Sequence, residues 1–336
     1  MTYSRKTQPT ADFYNIFAET EILGIIQAIE LTQEIPLKYS YKGRGAKIWD
    51  NFYQKYIIPR WYRSKNVEIV LLQEVFTYIN PQLPCGEKIT IIDVGAGNSY
   101  PVKEFIAKFH QLDKVSKYVA LDISTELIRL SQDNFRKWFP TIKFASGAID
   151  IENDPIPENF SQNPEFDSTN HITNVILHLG VTIGNHQDRI RVFKNFRNSM
   201  RANDFLVFTN EIGNNSQWDG KARGGCEYHV EQIYEWIKNS LGIISEDCQL
   251  VRKYDLTTDS IVANIKFRQN YMINFSFQGI DQDIQISAGE EMTIWRHHKH
   301  QISELIQEIE QSGLKLVHYI TNKYCSHIMA ICKIES

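Results

Sequence analysis

The chain has 336 residues, 42% of them apolar, enough for one large or two ordinary folded domains with a substantial core. Charged residues make up 23% and nearly balance at net −4, which excludes the strongly basic field of a nucleic-acid or anionic-lipid binder and leaves small-molecule chemistry. Five cysteines (Cys85, Cys226, Cys248, Cys325, Cys332), odd in number, widely spaced and without a CxxC pair, argue against a disulfide framework or a structural zinc and fit a reducing, cytoplasmic setting.

The opening "MTYSRKTQPTADFYN" lacks the apolar centre of a signal peptide, and no stretch reaches the ~18 uninterrupted apolar residues of a membrane span. From Asp12 to Leu31, Phe13, Ile16, Phe17, Ile22, Ile25, Ile26 and Ile29 recur at helical spacing, as do Ile48, Phe52, Tyr56 and Ile57 further on. Residues 1–80 are therefore expected to form a helical cap. The period then changes. "KITIIDV", "KYVALDI", "IKFASGA", "NVILHLG" and "DFLVFTNE" are short apolar, β-branched runs separated by helix-compatible segments such as "STELIRLSQDNFRKWF" and "HQDRIRVFKNFRNSM". Near-continuous apolar strands alternating with helices predict a doubly wound α/β core with a parallel sheet, over residues 81–210. Residues 211–300 read as an α+β insertion, in which "HVEQIYEWIKNSLG" is a helix and "SIVANIKFRQNYMINFSFQG" two antiparallel strands joined by a turn. Residues 301–336 read as helix, strand, loop and strand returning to the main sheet.

In open parallel sheets ligands bind outside the carboxyl ends of the strands, where the strand order reverses. "DVGAGNS" stands at such an end: Gly95 and Gly97 permit a tight turn, Asp93 offers an acceptor to an ammonium group or a water, and amides at the following helix start can receive a carboxylate. Asp122 closes the next strand, where an acid can accept the hydroxyls of a ribose, although "DISTEL" equally supplies a helix cap through Ser124. The third spaced glycine of a dinucleotide fingerprint is missing, so a cofactor with an adenosine and an amino-acid tail, S-adenosylmethionine, fits better than NAD. "ILHLGVTIGNH" brings Gly180, Thr182, Gly184 and Asn185 to the same edge; an amide there can orient a neutral amine for methyl transfer without adding charge, or Gly-Asn can be a plain turn.

"PLKYSYKGRGAKIWD", "IIDVGAGNS", "YVALDIS", "LGVTIGNH" and "AGEEMTIWRHHKH" occur in the order and at the separations of the landmarks of the histidine-specific N-methyltransferases of ergothioneine biosynthesis, a family the chain resembles over nearly its whole length. That family is also similar to the fungal dimethylallyltryptophan N-methyltransferases. The resemblance implies S-adenosylmethionine as donor, held by Asp93, Gly95, Gly97, Asp122, Ile123, Ala148, Ile149 and Gly180. It implies Asn185 and Tyr41 as the groups at the reacting amine, and a substrate site completed by Trp218, Ala263, Trp295 and His297.

The departures from the family pattern shift the expected acceptor. Trp295 and His297 stand where the histidine enzymes present an acid and a hydroxyl to the imidazole, and Ala263 stands where they carry a methionine. Trp218 in "QWDGKARGG" is the nearest substitute for a carboxylate-binding tyrosine, Lys42 replaces an aspartate, and Ala148 replaces the adenine-binding acid. An indole in place of an acid favours an apolar or aromatic ligand. The expectation is thus a monomeric, cytoplasmic biosynthetic enzyme that methylates a small-molecule amine, a non-histidine amino acid or its derivative of aromatic or prenylated-indole type, with no nucleic-acid or membrane partner. A non-catalytic cofactor-binding module and an O-methyltransferase stay open as alternatives. The group His297, His298 and His300 raises the question of zinc, but Arg296 and Lys299 among them oppose a cation, and no metal is expected.

Overall fold

The computed structural model of the chain describes residues 4–58, 66–161, 172–221 and 225–335. The fold separates into two compact units, one of Met1–Tyr53 with Asn215–His298 and one of Gln54–Asn214 with Lys299–Ser336.

The chain begins with β1 (Arg5–Thr7), α1 (Ala11–Ile16), α2 (Glu19–Thr32) and α3 (Arg44–Phe52). Helix α2 shows how sequence sets the local structure: Ile22, Ile25, Ile26 and Ile29 fall on one stripe and are all buried, the Glu21 carboxylate accepts the Ala18 N–H at the start, and Gln33 ends the helix in the left-handed region at φ 52°. There follow α4 (Val67–Ile79), β2 (Ile89–Val94), α5 (Lys103–Gln111), β3 (Val115–Asp122), α6 (Thr125–Trp138), β4 (Lys143–Ala148), α7 (Glu158–Ser161), β5 (Thr173–His178), α8 (Arg189–Ser199) and β6 (Phe205–Glu211). After α9 (Cys226–Ser240) come five strands, β7 (Cys248–Asp255), β8 (Ser260–Phe267), β9 (Tyr271–Phe277), β10 (Ile280–Ile286) and β11 (Glu291–His297). The chain closes with α10 (Ile302–Gln311), β12 (Leu314–Thr321) and β13 (His327–Ile334).

The unit containing β2 to β6 is built on a seven-stranded sheet in the order β12-β13-β6-β5-β2-β3-β4. Strands β2 to β6 run parallel, and β13 joins antiparallel to β6 and β12. Every residue of β2 and of β5 is buried, as strands covered on both faces require. This is the doubly wound α/β core that the apolar runs predict, and the closing helix and strands return to it as expected. The cap boundary at residue 80 is corrected, because α4 packs on α5 and β13 and belongs with the sheet.

The other unit holds two three-stranded sheets, β1-β9-β10 and β11-β8-β7. The expected hairpin of β8 with β9 does not form. β8 already has β7 on one side and β11 on the other, and it is buried along almost its whole length. Its successor alternates buried and partly buried residues and pairs instead with β10 and with β1. The core of this unit joins Ile22, Ile26 and Ile29 of α2 to Ile233 and Ile237 of α9 and to Ile265, Ile273 and Ile294 of the strands.

The end of α2 is tied to β11 by backbone bonds, from Ile35 N–H to Thr293 O at 2.8 Å and from Thr293 N–H to Gln33 O at 2.8 Å, and by the fork of Arg296 on the Glu34 carboxylate. Glu34 is only 2% exposed, so the ion pair has to stay complete: removing one partner strands a buried charge, whereas removing both removes the need. Arg296→Met should therefore cost about 3–5 kcal/mol in denaturant unfolding, and the double variant Glu34→Leu/Arg296→Met clearly less. Equal losses in the two proteins would contradict a pair that is costly to break.

Candidate active site

The core sheet reverses its strand order at β2, with β3 on one side and β5 on the other. The carboxyl ends of these strands carry the glycines and acids that the sequence singles out. Asp93, next to last in β2, is 2% exposed, and its Oδ2 accepts the Tyr118 hydroxyl at 2.8 Å. Burial holds the Tyr118 phenol well above its ordinary pKa, so it stays a neutral donor to Asp93. Tyr118 Oη then accepts from Ser99 Oγ at 2.7 Å, and Ser99 Oγ from Ser131 Oγ, so the chain of hydroxyl protons points at Asp93. Burial, opposed by the Tyr118 bond and reinforced by the charges of Asp122 and Glu68, pushes the Asp93 carboxyl up to about 7.

Asp122 ends β3 and ties down the loop after β2. Its Oδ2 accepts the Gly97 N–H at 2.9 Å and its Oδ1 the Ser124 N–H at 2.9 Å, while burial outweighs these bonds and pushes the carboxyl up to about 6. The helix-cap role goes to Ser124, whose Oγ accepts the Leu127 N–H at 3.3 Å. A carboxylate has about four acceptor directions, so Asp122 keeps room for a ligand hydroxyl beside these backbone donors. Gly95 and Gly97 take φ of 76° and 53°, the left-handed region that favours glycine.

Most amides of this loop, which precedes the helix start where the sequence reading placed the carboxylate, are spent inside the protein. Gly95 and Ala96 N–H both donate to Leu121 O, Gly97 N–H to Asp122 and Ser99 N–H to Ala96 O, and α5 starts only at Lys103. The loop is laced to β3 by its own backbone and leaves its surroundings to acids. Ala148 lies in register with Asp122, and Ile149 N–H donates to Asp122 O at 3.0 Å, so Asp122, Ile123, Ala148 and Ile149 share the ends of two adjacent strands. The next acid, Asp150, spends its oxygens on Glu152 N–H and the Asn153 amide.

At the end of β5, Gly180 and Val181 both adopt positive φ, and Thr182–Asn185 form a 3₁₀ turn that leaves Asn185 half-buried. What holds this turn is a residue the sequence reading passed over. Glu68, in the first turn of α4, accepts the Gly180 N–H and the Thr209 hydroxyl at 2.5 Å each, and Thr209 also accepts the Val181 N–H at 3.3 Å. Glu68 is 1% exposed, and burial raises its pKa against these bonds. The signal was present: Glu68 heads the stripe Leu71, Leu72, Val75, all buried, and an acid on an apolar face needs a reason.

Two histidines were also passed over. Val94 O can only accept, so His178 Nδ1 carries the proton of their 2.9 Å bond. Burial lowers the His178 pKa to about 3, the ring is neutral, and its Nε2 accepts from His186 Nε2 at 3.2 Å. The imidazole lies under the loop, 3.9 Å from where a Cβ on Gly95 would stand.

The residues expected to read the substrate's side chain lie in the other unit. Trp295 is directly opposite Ala263 in the β11–β8 register, and His297 opposite Ile261, so the three expected residues Ala263, Trp295 and His297 share one sheet face. The Trp295 and His297 rings are 6.1 Å apart, and Trp295 and Tyr41 both pack against the core of this unit. Trp218 donates its indole N–H to Lys221 O at 3.1 Å; residues 222–224 of its stretch lie outside the described residues. Lys42, the replacement for an aspartate, pairs with Glu21 at 2.6 Å. Of the histidine group, His297 and His298 belong to this unit, His298 bonding Asp259 O at 2.7 Å. His300 belongs to the core unit, where its Nε2 donates to Glu308 at 2.9 Å.

Buried carboxyls, each raised by burial, beside a glycine turn at the reversal of the parallel strands suit a cationic ligand with a ribose, and S-adenosylmethionine fits both demands. Among solved structures, a S-adenosylmethionine-dependent methyltransferase from Clostridium acetobutylicum ATCC 824 is similar at 12% identity and a TM-score of 0.47, covering 86% of this chain and 99% of its own. Magnesium protoporphyrin IX methyltransferase from Synechocystis PCC 6803, with bound S-adenosylhomocysteine, is similar at 9% identity and a TM-score of 0.45, covering 89% of this chain and 98% of its own. No curated protein sequence matches the chain. The profile of the family described as histidine-specific methyltransferase, SAM-dependent, matches residues 18–333, and the chain belongs to that family.

Proposed function

We propose that this methyltransferase acts on the amine of an amino acid other than histidine, or of an amino-acid-derived metabolite, with an aromatic or indole side chain. The observation that carries the reading is the shared face of Ala263, Trp295 and His297. An indole and a methyl group offer no acceptor to an imidazole N–H, and the nearby Glu34 carboxylate is already forked by Arg296. Of these three residues only His297 can accept a hydrogen bond from a histidine ring, so a ring N–H not aimed at His297 would stay unpaired on this face, at a cost that an aromatic hydrocarbon side chain does not incur.

The cofactor, when bound, supplies a methyl group activated by a sulfonium for transfer to a nitrogen lone pair. The chain's own contribution is orientation and charge. Asp122 accepts a ribose hydroxyl while its bond to Gly97 fixes the loop; Ile123, Ala148 and Ile149 flank the adenine. Asn185 orients the acceptor amine with a neutral amide, so no charge is added that would hold the amine as an ammonium. Tyr41 and Trp218 contribute to acceptor binding.

Two outcomes follow. Asp122→Ala should weaken S-adenosylhomocysteine binding by ~1.5–3 kcal/mol, the range for hydrogen bonds to a charged group, read by calorimetry; unchanged affinity would remove Asp122 from the donor site. In steady-state assays against a panel of amino acids, the wild type should prefer an aromatic amine acceptor over histidine. Trp295→Glu/His297→Ser should raise kcat/KM for histidine by about tenfold, equivalent to ~1.4 kcal/mol. A wild type that already prefers histidine would show that this face does not read the acceptor as proposed.

A further inference from the structure

The bonds of Glu68 account for only half of its carboxylate. Oε1 takes the Gly180 N–H and the Thr209 hydroxyl, whereas Oε2 is fully buried and has no hydrogen-bond partner among the described residues. A buried carboxylate oxygen left this way is costly unless something completes it. The neighbouring acid cannot. Asp93 is an acid that already feels the Glu68 charge, and its own bond goes to Tyr118. A cation that arrives with a ligand would complete this oxygen as a carboxylate, and the sheet order indicates which part of the ligand that would be. Asp122, Ala148 and Ile149 stand at the ends of β3 and β4, Asp93 at the end of β2, and Glu68 against the segment leaving β5 and against Thr209 of β6. With Asp122 holding the ribose at β3, the amino-acid tail would fall on the β2 and β5 side of the sheet, the side on which Glu68 bonds Gly180.

We propose that Glu68 is a cofactor-binding residue, whose Oε2 accepts the α-ammonium of the amino-acid tail while its Oε1 holds the Gly180 turn that carries Asn185. The assignment rests on the donor being S-adenosylmethionine. It joins two tasks in one side chain: the oxygen that receives the cofactor is two bonds from the oxygen that fixes the turn. Glu68 stands at the second position of α4, its backbone N–H held by Asn66 Oδ1 at 3.0 Å, which anchors the residue in the favourable field of a helix start.

Calorimetry with two thioethers separates this role from a structural one: S-adenosylhomocysteine carries the ammonium, and 5′-methylthioadenosine has the same adenosine without the tail. Glu68→Gln keeps an oxygen for Gly180 and Thr209 but turns an amide toward the ligand in place of Oε2. It should weaken S-adenosylhomocysteine at least about tenfold, as expected for a charged hydrogen bond, and leave 5′-methylthioadenosine within about twofold of the wild type. Equal weakening of both, or of neither, overturns the proposal. A second comparison needs no variant: the wild type should bind the desamino analogue of S-adenosylhomocysteine, carboxylate retained, at least about tenfold more weakly than the parent, and equal affinities overturn the assignment. A wild type that binds neither S-adenosylhomocysteine nor 5′-methylthioadenosine refutes the donor reading itself, and this proposal with it.

Discussion

Three carboxyl groups, on Glu68, Asp93 and Asp122, are buried at the carboxyl edge of one parallel sheet, and the arrangement of the donor site follows from the way each is held there. Desolvation makes all three expensive as anions. The fold offsets that cost with donors drawn from the loops that must be positioned. Gly97 N–H and Ser124 N–H serve Asp122, Gly180 N–H serves Glu68, and the neutral Tyr118 serves Asp93. The same bonds that make the acids tolerable therefore shape the glycine turn and the Asn185 turn. On the reading proposed here, a cation entering this edge would relieve what the protein alone leaves unbalanced.

The core sheet was legible in the sequence because strands such as Ile89–Val94 and Thr173–His178 carry β-branched and apolar residues with no polar/apolar alternation, the pattern of strands buried on both faces. The second unit was harder to read for a physical reason. Whether two adjacent strands pair depends on which edges are already taken, and the edges of β8 are taken by β7 and β11, the latter arriving only after two further strands. The boundary at residue 80 was misplaced because α4 carries the same helical period as the helices before it; period reveals a buried face but not the partner it is buried against.

Glycines and an acid at strand ends could be read from the sequence: Gly95 and Gly97 occupy the loop after β2, and Asp122 at the end of β3 accepts the Gly97 N–H. The bonding of the loop amides was not legible, since the spacing of glycines does not reveal that Gly95 and Ala96 donate to Leu121. Glu68 escaped because its partners, Gly180 and Thr209, lie far along the chain, and only the tertiary structure brings a helix start to two strand ends. His178 escaped for the same reason: its role depends on Val94 O and His186, which the strand pattern does not announce.

The central claim is that a cationic cofactor completes a buried, partly protonated acidic edge, and proton linkage tests it directly. With Asp93 raised to about 7 and Asp122 to about 6, the free protein retains protons that an exposed carboxyl would have lost, and a cation that favours the ionised forms must expel them. Calorimetric titration with S-adenosylmethionine at pH 6.5, repeated in buffers of different ionisation enthalpy, counts those protons. The account predicts net proton release that fades toward pH 8.5 as both groups ionise unaided; no release, or proton uptake, at pH 6.5 would contradict it.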